Sequence, residues 1–342
     1  MARLNLFLTF DYELPLGGWD VPPEDALIKP THTILALCDK LHISVVFFVD
    51  ALSFIRFRSL KNNAFENMVR KQLLEIVQRG HDIQLHLHPH WFTSQLDNEM
   101  YNPSNDFKLA DFSEREITDM VVQSIDYLNE IAKQVNPAYR CLAFRAGGFN
   151  LENSPLIFRV LSQNGIVIDS SMCHDYYFVS DISKVDYRHL PNRSNWFFQD
   201  GKFREPTSSG IYEIPIAGKN KSIFEIPTFV KSKLYKNRTP ENRGKMIHRD
   251  YRLPFREKIR KAMSSRMLSF DNFTCSSRYL LKILQYNVKK FRNREEINLS
   301  IIGHPKAMDW YNFKLMEDFV AAVRKLYGNQ VEFTVFQEFA KK

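Results

Sequence analysis

The sequence predicts an α/β protein, a single domain of βαβ units closed as a barrel or left as an open parallel sheet. Three observations predict it. Short apolar runs alternate with stretches of helical periodicity along most of the 342 residues. No internal repeat and no low-complexity linker divides the chain. Polar or titratable residues stand just past the ends of five apolar runs: Asp11 and Glu13, His86 to His90, Arg145, Asp169 and His304. That is the edge at which α/β barrels carry their active sites.

Leu4 to Phe10 reads as a buried strand ending at Asp11 and Glu13, with Gly17, Gly18, Pro22 and Pro23 marking the following loop. Thr31 to Leu41 repeats Ile34, Leu35, Leu37 and Leu41 at helical spacing, and Ile43 to Val49 is a second apolar strand. Asn63 to Arg79 is a helix stopped by Gly80, a residue suited to the left-handed C-terminal position. Asp82 to Leu87 is the third strand. Phe112 to Val135 is a long amphipathic helix, with Ser113 and Glu116 spaced as a capping box. Cys141 to Arg145 is a strand before the Gly147-Gly148 turn. Ser154 to Asn164 is a helix ended by Gly165, and Ile166 to Ser170 is the next strand. Ile211 to Ile216 and Ile223 to Thr228 are short strand-like runs, each with a proline. Ser277 to Arg292 is a helix, Leu299 to Gly303 a strand, Asn312 to Tyr327 a helix and Val331 to Val335 a last strand.

Hydrophobic content of 44% and charged content of 25% are those of an ordinary globular protein. No stretch approaches the roughly 20 apolar residues needed to cross a bilayer. The N-terminus lacks a long apolar core and a cleavage site, so the expected location is the cytoplasm. Cys38, Cys141, Cys173 and Cys275 form no C-x-x-C pair and read as reduced thiols. Net charge is +8, with twelve Lys or Arg from Lys231 to Lys261 against Glu241, Asp250 and Glu257. Such a run reads first as a solvated insertion, and alternatively as one that attracts anionic lipid or a phosphorylated substrate. No finger, helix-turn-helix or RNA-binding motif accompanies it, so nucleic acid is not an expected partner.

Gly80 to Trp91 holds four of the ten histidines. Imidazole is the commonest protein metal ligand. In an extended segment His86, His88 and His90 share a face. If the chain turns helical after His86, then His86 and His90 become neighbours instead. Pro89 disfavours helix at His88 and tolerates it afterwards, so a strand end followed by a short turn fits best.

Five short motifs in order resemble the polysaccharide deacetylase family, the carbohydrate esterases with a NodB-homology domain. They are Thr9-Phe10-Asp11-Tyr12-Glu13, His86-Leu87-His88-Pro89-His90, Arg145-Ala146-Gly147-Gly148-Phe149, Asp169-Ser170-Ser171 and Gly303-His304-Pro305. The resemblance covers nearly the whole chain as one domain, residues 1–342, with a basic insertion at about 219–275. It implies a distorted (β/α) barrel and metal-dependent removal of an acyl group from a sugar. By resemblance Asp11 is the general base, and Arg145 holds it ionised. His304 is the general acid and Asp169 the carboxylate that orients it. Glu13, His86 and His90 are the ligands of a divalent metal ion, with zinc preferred.

Three departures mark a non-standard branch. Tyr12 stands where the family has a second aspartate, leaving Glu13 as the next carboxylate. Leu87 replaces a serine or threonine. Gly147-Gly148-Phe149 replaces a proline-containing turn and should loosen that rim. With no export signal expected, the substrate implied is an acylated sugar carried as a nucleotide- or lipid-linked intermediate of surface glycan synthesis. The basic segment would meet its phosphate or the membrane surface as a peripheral contact. The alternatives are a small-amide C–N hydrolase, deformylase- or allantoinase-like, and an inactive carbohydrate-binding or scaffold domain.

Overall fold

The computed structural model describes residues 2–16, 21–59, 63–97, 100–102, 104, 106–180, 182–225, 227, 252–271 and 276–341. In chain order the strands are β1 (Arg3–Tyr12), β2 (Val46–Asp50), β3 (Asp82–Leu87), β4 (Gln95–Asp97), β5 (Met100–Asn102), β6 (Ala143–Ala146) and β7 (Ile168–Asp169). Then come β8 (Tyr177–Val179), β9 (Lys184–Asp186), β10 (Trp196–Phe198), β11 (Ile211–Glu213), β12 (Gly218–Asn220), β13 (Ser265–Met267), β14 (Glu296–Gly303) and β15 (Val331–Phe333). Nine of them make one sheet in the order β10-β11-β7-β6-β3-β2-β1-β14, with β15 also pairing β1. Every pair in it is parallel except β10 with β11.

Two irregular strips of backbone bring the far edges together. Beyond β11, Ala217 N–H donates to Ser300 O at 2.9 Å and Ser300 N–H donates to Pro215 O at 2.9 Å. Leu268 N–H then donates to Ala217 O at 2.7 Å and Phe270 N–H to Ile302 O at 2.8 Å. The result is the expected distorted (β/α) barrel, closed by bridges rather than by a regular strand pair.

Strand alternation sorts β1 into two faces. Leu4, Leu6, Leu8, Phe10 and Tyr12 point outward to the helices and join the main core. Asn5, Phe7, Thr9, Asp11 and then Glu13 occupy the alternate positions. Phe7 joins a smaller inner cluster with Val46, Phe48, Ala143, Ile168, Ile214, Val335 and Phe336. Phe336 stacks on Phe7 with ring centroids 4.7 Å apart and floors the barrel. The inner face thus changes from aromatic at the floor to ionisable at the C-terminal rim. Tyr12, in the place of the family's second aspartate, lies against Phe47 and Phe54, and its hydroxyl donates to Gln72 at 2.8 Å.

The helices are α1 (Pro23–Ala26), α2 (Ile28–Leu41), α3 (Ala51–Ser59), α4 (Asn63–Gln78), α5 (His90–Thr93), α6 (Glu114–Ala132) and α7 (Pro155–Gln163). They are followed by α8 (Phe255–Met263), α9 (Ser277–Lys290), α10 (Trp310–Tyr327) and α11 (Phe336–Phe339). Pro30 sits in the first turn of α2, where its missing N–H costs nothing, so α2 begins before the expected Thr31. The Ser113–Glu116 capping box opens α6. Gly80 follows α4 at φ 78°. Helix α3, which follows β2 without a loop, was not anticipated. Ile223–Glu225 is a 3₁₀ turn rather than the expected strand. Most of the span from 226 to 251 lies outside the described residues. The ends flanking it pair as β12 and β13. Cys38, Cys141 and Cys173 are buried thiols without a disulfide.

Candidate active site

The ends of β1, β3, β6 and β14 converge at one rim because their parallel pairing aligns their C-termini. In the register of β3 with β6, His86 lies beside Arg145. Arg145 is fully buried and crosses the barrel interior. Its Nη1 donates to Asp11 Oδ1 at 2.6 Å and to Thr9 Oγ1 at 2.7 Å, and its Nε donates to Ser170 O at 2.8 Å. Its guanidinium lies over the Phe48 ring, 4.1 Å from the centroid. Burial alone would raise the pKa of Asp11. Arg145, His86 and His304 outweigh it and hold the carboxyl far below its ordinary range.

Glu13 faces the same way as Asp11, as a two-residue spacing on an extended chain requires. Its Oε2 lies 2.5 Å from His88 Nε2 and 3.4 Å from His86 Nε2. Its Oε1 lies 3.0 Å from Lys306 Nζ and 3.4 Å from His304 Nε2. Burial, again opposing, is outweighed by Lys306 and the two imidazoles, so Glu13 stays ionised. His86 Nδ1 is 2.8 Å from Arg145 O, which fixes the proton on Nδ1 and turns Nε2 inward.

The structure gathers Glu13, His86 and His88 within 4.8 Å of one another. His90 lies outside that group. His86 near the end of β3 and His88 just past it both reach Glu13. Pro89 then adopts helical angles, φ −64° and ψ −25°, and ends the alternation. His90 opens α5 with its ring tilted against Trp91 and Phe107, at centroid distances of 5.3 and 5.0 Å. Burial and the adjacent His88 push its pKa well down. Gly147 makes room for the His88 ring. A Cβ at that position would stand 2.6 Å from Leu87 O and 2.7 Å from His88 Nδ1. The Gly147-Gly148 turn is therefore close-packed at Gly147, not looser as expected.

The carboxylate on His304 is Asp271, not Asp169. Asp271 Oδ2 lies 3.0 Å from His304 Nδ1, and Asp271 Oδ1 accepts from His304 N–H at 2.8 Å. Ser269 bridges Ile302 in parallel, so Asp271 and His304 come level two residues further on. Asp169 instead accepts from Ser171 N–H at 2.9 Å and from Ser171 Oγ at 2.8 Å. It sits beside Glu213 in the β7–β11 register, where burial and Asp169 push Glu213 well above the carboxylate range. Asp271 falls within the span read as an insertion. Its signal was the run Ser269-Phe270-Asp271, which repeats the pattern of Thr9-Phe10-Asp11 at the end of β1. Lys306, on the 3₁₀ turn Pro305–Ala307, is the other residue of the site not anticipated. His304 Nε2 stands 3.4 Å from Asp11 Oδ2. Burial would lower its pKa, but Asp271 and Asp11 raise it well above the usual histidine value.

Glu13, His86 and His88 suit a divalent ion. Two neutral imidazole nitrogens and one carboxylate oxygen are a ligand set that catalytic zinc sites use. Glu13 Oε2 and the Nε2 atoms of His86 and His88 are buried and face one another with no hydrogen bond of good geometry. They are crowded together at 2.5 to 3.4 Å, and a shared cation would satisfy all three at once.

No family model matches the chain, and no curated protein does. Among solved structures it is similar to a protein described as a polysaccharide deacetylase from Mycobacterium smegmatis, at 12% identity and TM-score 0.51. That match covers 99% of this chain and 90% of the other. It is similar to a 4-alpha-glucanotransferase from Thermococcus litoralis, at 12% identity and TM-score 0.53. That match takes in 100% of this chain but only 41% of the larger protein. Puue allantoinase matches at 12% identity and TM-score 0.49, over 99% of this chain and 90% of that one. The fold is the distorted (β/α) barrel of these structures. More narrowly, it is the polysaccharide deacetylase fold that the sequence motifs resemble. A glucanotransferase shares it, so the chemistry has to be argued from the side chains present.

Proposed function

We propose that the protein is a metal-dependent amide hydrolase that removes an acetyl or other acyl group from an N-acylated sugar. Its substrate is a nucleotide- or lipid-linked intermediate of surface glycan synthesis. One observation carries this reading: a carboxylate held ionised by arginine, a carboxylate-backed imidazole and a three-donor metal group meet at one buried rim.

Asp11 Oδ2 makes no hydrogen bond among the described residues and is placed to accept a proton from water. Arg145 occupies the other oxygen and fixes the orientation of the carboxylate. Glu13, His86 and His88 would hold the metal, which when bound polarises the acyl carbonyl and acidifies water. That suits a base as weak as the depressed Asp11 carboxyl. His304 enters protonated, with Asp271 holding Nδ1–H so that Nε2–H faces Asp11 and the reacting centre. It is placed to give that proton to the departing nitrogen.

The test pairs metal content with acetate release from UDP-N-acetylglucosamine and from a chitin oligosaccharide. Wild-type protein should hold near-stoichiometric zinc or cobalt, lost in His86→Ala and His88→Ala and kept in His90→Ala. Asp11→Asn and His304→Ala should lower kcat by about 10²- to 10⁴-fold. A wild type that binds no metal after reconstitution would sink the proposal. Loss of metal in His90→Ala with retention in His88→Ala would return the ligand set to the spacing of the family motif.

A further inference from the structure

Helix α8 is inside out. Its sequence, Phe-Arg-Glu-Lys-Ile-Arg-Lys-Ala-Met, contains no buried residue. Phe255, Ile259 and Met263 recur every four positions and are 76%, 44% and 70% exposed. At about 100° per residue they fall within an arc of about 80°. The opposite side, Glu257 and Lys261, faces the protein. Glu257 meets the Tyr177 hydroxyl and, at 2.8 Å, Arg260 Nη1, while Lys261 Nζ lies 4.5 Å from the centre of the Phe178 ring. A surface helix of a globular protein turns its apolar stripe to the core. This one turns it to solvent.

Cations border the stripe on both sides, with Arg256 and Arg260 on one and Lys258 on the other. Arg256 and Lys258 pair with no described carboxylate. Arg252 precedes the helix and is exposed. Phe224, 89% exposed, sits on the 3₁₀ turn that Lys221 ties to this helix by donating to Lys261 O at 3.3 Å.

We propose that this face docks on an anionic lipid bilayer, with Phe255, Ile259 and Met263 in the acyl–headgroup boundary and the flanking Arg and Lys on lipid phosphates. An apolar stripe bordered by cations on a helix lying flat is the pattern of an interfacial anchor. A polyanion such as RNA would use the charges and leave the stripe without a role. Docking does not depend on the hydrolase reading. Its consequence for substrate does: only seven residues separate Met263 from Asp271, so the docked helix brings the catalytic rim to where a lipid-linked sugar is presented.

The test is sedimentation of the full chain with vesicles of phosphatidylcholine alone and of phosphatidylcholine mixed with phosphatidylglycerol. Binding should require the anionic lipid and weaken roughly tenfold in each of Ile259→Asp and Met263→Asp. Arg256→Glu with Lys258→Glu should weaken it by a similar factor. Because these side chains are exposed, thermal unfolding and metal content should not change. Three results would overturn the proposal: no binding to the anionic vesicles, binding insensitive to the apolar substitutions, or a dimer dispersed by Ile259→Asp with no vesicle binding. Loss of vesicle binding with intact hydrolysis of a soluble substrate would remove docking and leave the hydrolase standing. The reverse result would do the opposite.

Discussion

Asp271 governs which proton His304 can give. Its two oxygens take the backbone N–H and the Nδ1 side of the same histidine, so the backbone contact anchors the carboxylate and a ring flip would lose the Nδ1 contact. Asp271→Asn should therefore lower kcat about 10²-fold while leaving metal content and thermal stability near wild type. Asp169→Asn should cost less than about tenfold, because its carboxylate serves Ser171 rather than the acid. Parallel kinetics on the two variants decide between them. At this scale the sequence was most legible where strand periodicity governed. Asp11 and Glu13 share a face, as alternate residues must. His86 and His88 come together on Glu13, whereas His90, which extended alternation and the family spacing both placed with His86, is carried off by the helical turn at Pro89. Asp271 stayed hidden because the apolar stretch before it, Met267-Leu268-Ser269-Phe270, is short and interrupted, and its register is set by the bridge of Ser269 to Ile302, far along the chain.

Elements meet at the floor of the barrel through Asp82, the first residue of β3. Its Oδ1 accepts from Gln84 Nε2 at 2.8 Å and from the Tyr139 hydroxyl at 3.0 Å, and its Oδ2 accepts from Gln337 N–H in α11 at 3.2 Å. Burial nevertheless raises its pKa to about 6. A carboxyl whose folded pKa exceeds its unfolded value stabilises the fold fully below the unfolded pKa. That contribution is lost as pH rises through the folded one. Stability should accordingly fall by about 3 kcal/mol between roughly pH 4 and pH 6.5 from this group. Asp82→Asn should flatten that slope in urea unfolding curves measured across the range. Most elements could be read from local chemistry: the box at Ser113, the stop at Gly80 and the apolar runs of β1 to β3. Helix α3 could not, because it follows β2 with no intervening loop, and Asp50, the residue before it, also closes the strand and accepts from His88 N–H. Ile223 to Glu225 looked extended from its isoleucine and phenylalanine. Its Phe224 is almost fully exposed, so no sheet face rewards that conformation.

Across the whole molecule, Arg145 is the group that spans the barrel interior from β6 to β1. Arg145→Met would leave Asp11 buried without its cation and should cost about 3–5 kcal/mol. Adding Asp11→Asn should restore a good part of that, and a double-mutant cycle from denaturant unfolding measures the coupling. The topology carries a further consequence. Strand β1 pairs along eight residues with β14, Arg3 opposite Glu296 through Phe10 opposite Gly303. During synthesis that edge stays open until β14, about 290 residues further along, leaves the ribosome. At typical elongation speeds the wait is roughly 15 to 60 s. The strand that carries Asp11 and Glu13 thus waits for a partner made long after it. Until β14 arrives, a nascent chain displays an apolar, unpaired edge of the kind that holding chaperones cover and aggregates exploit.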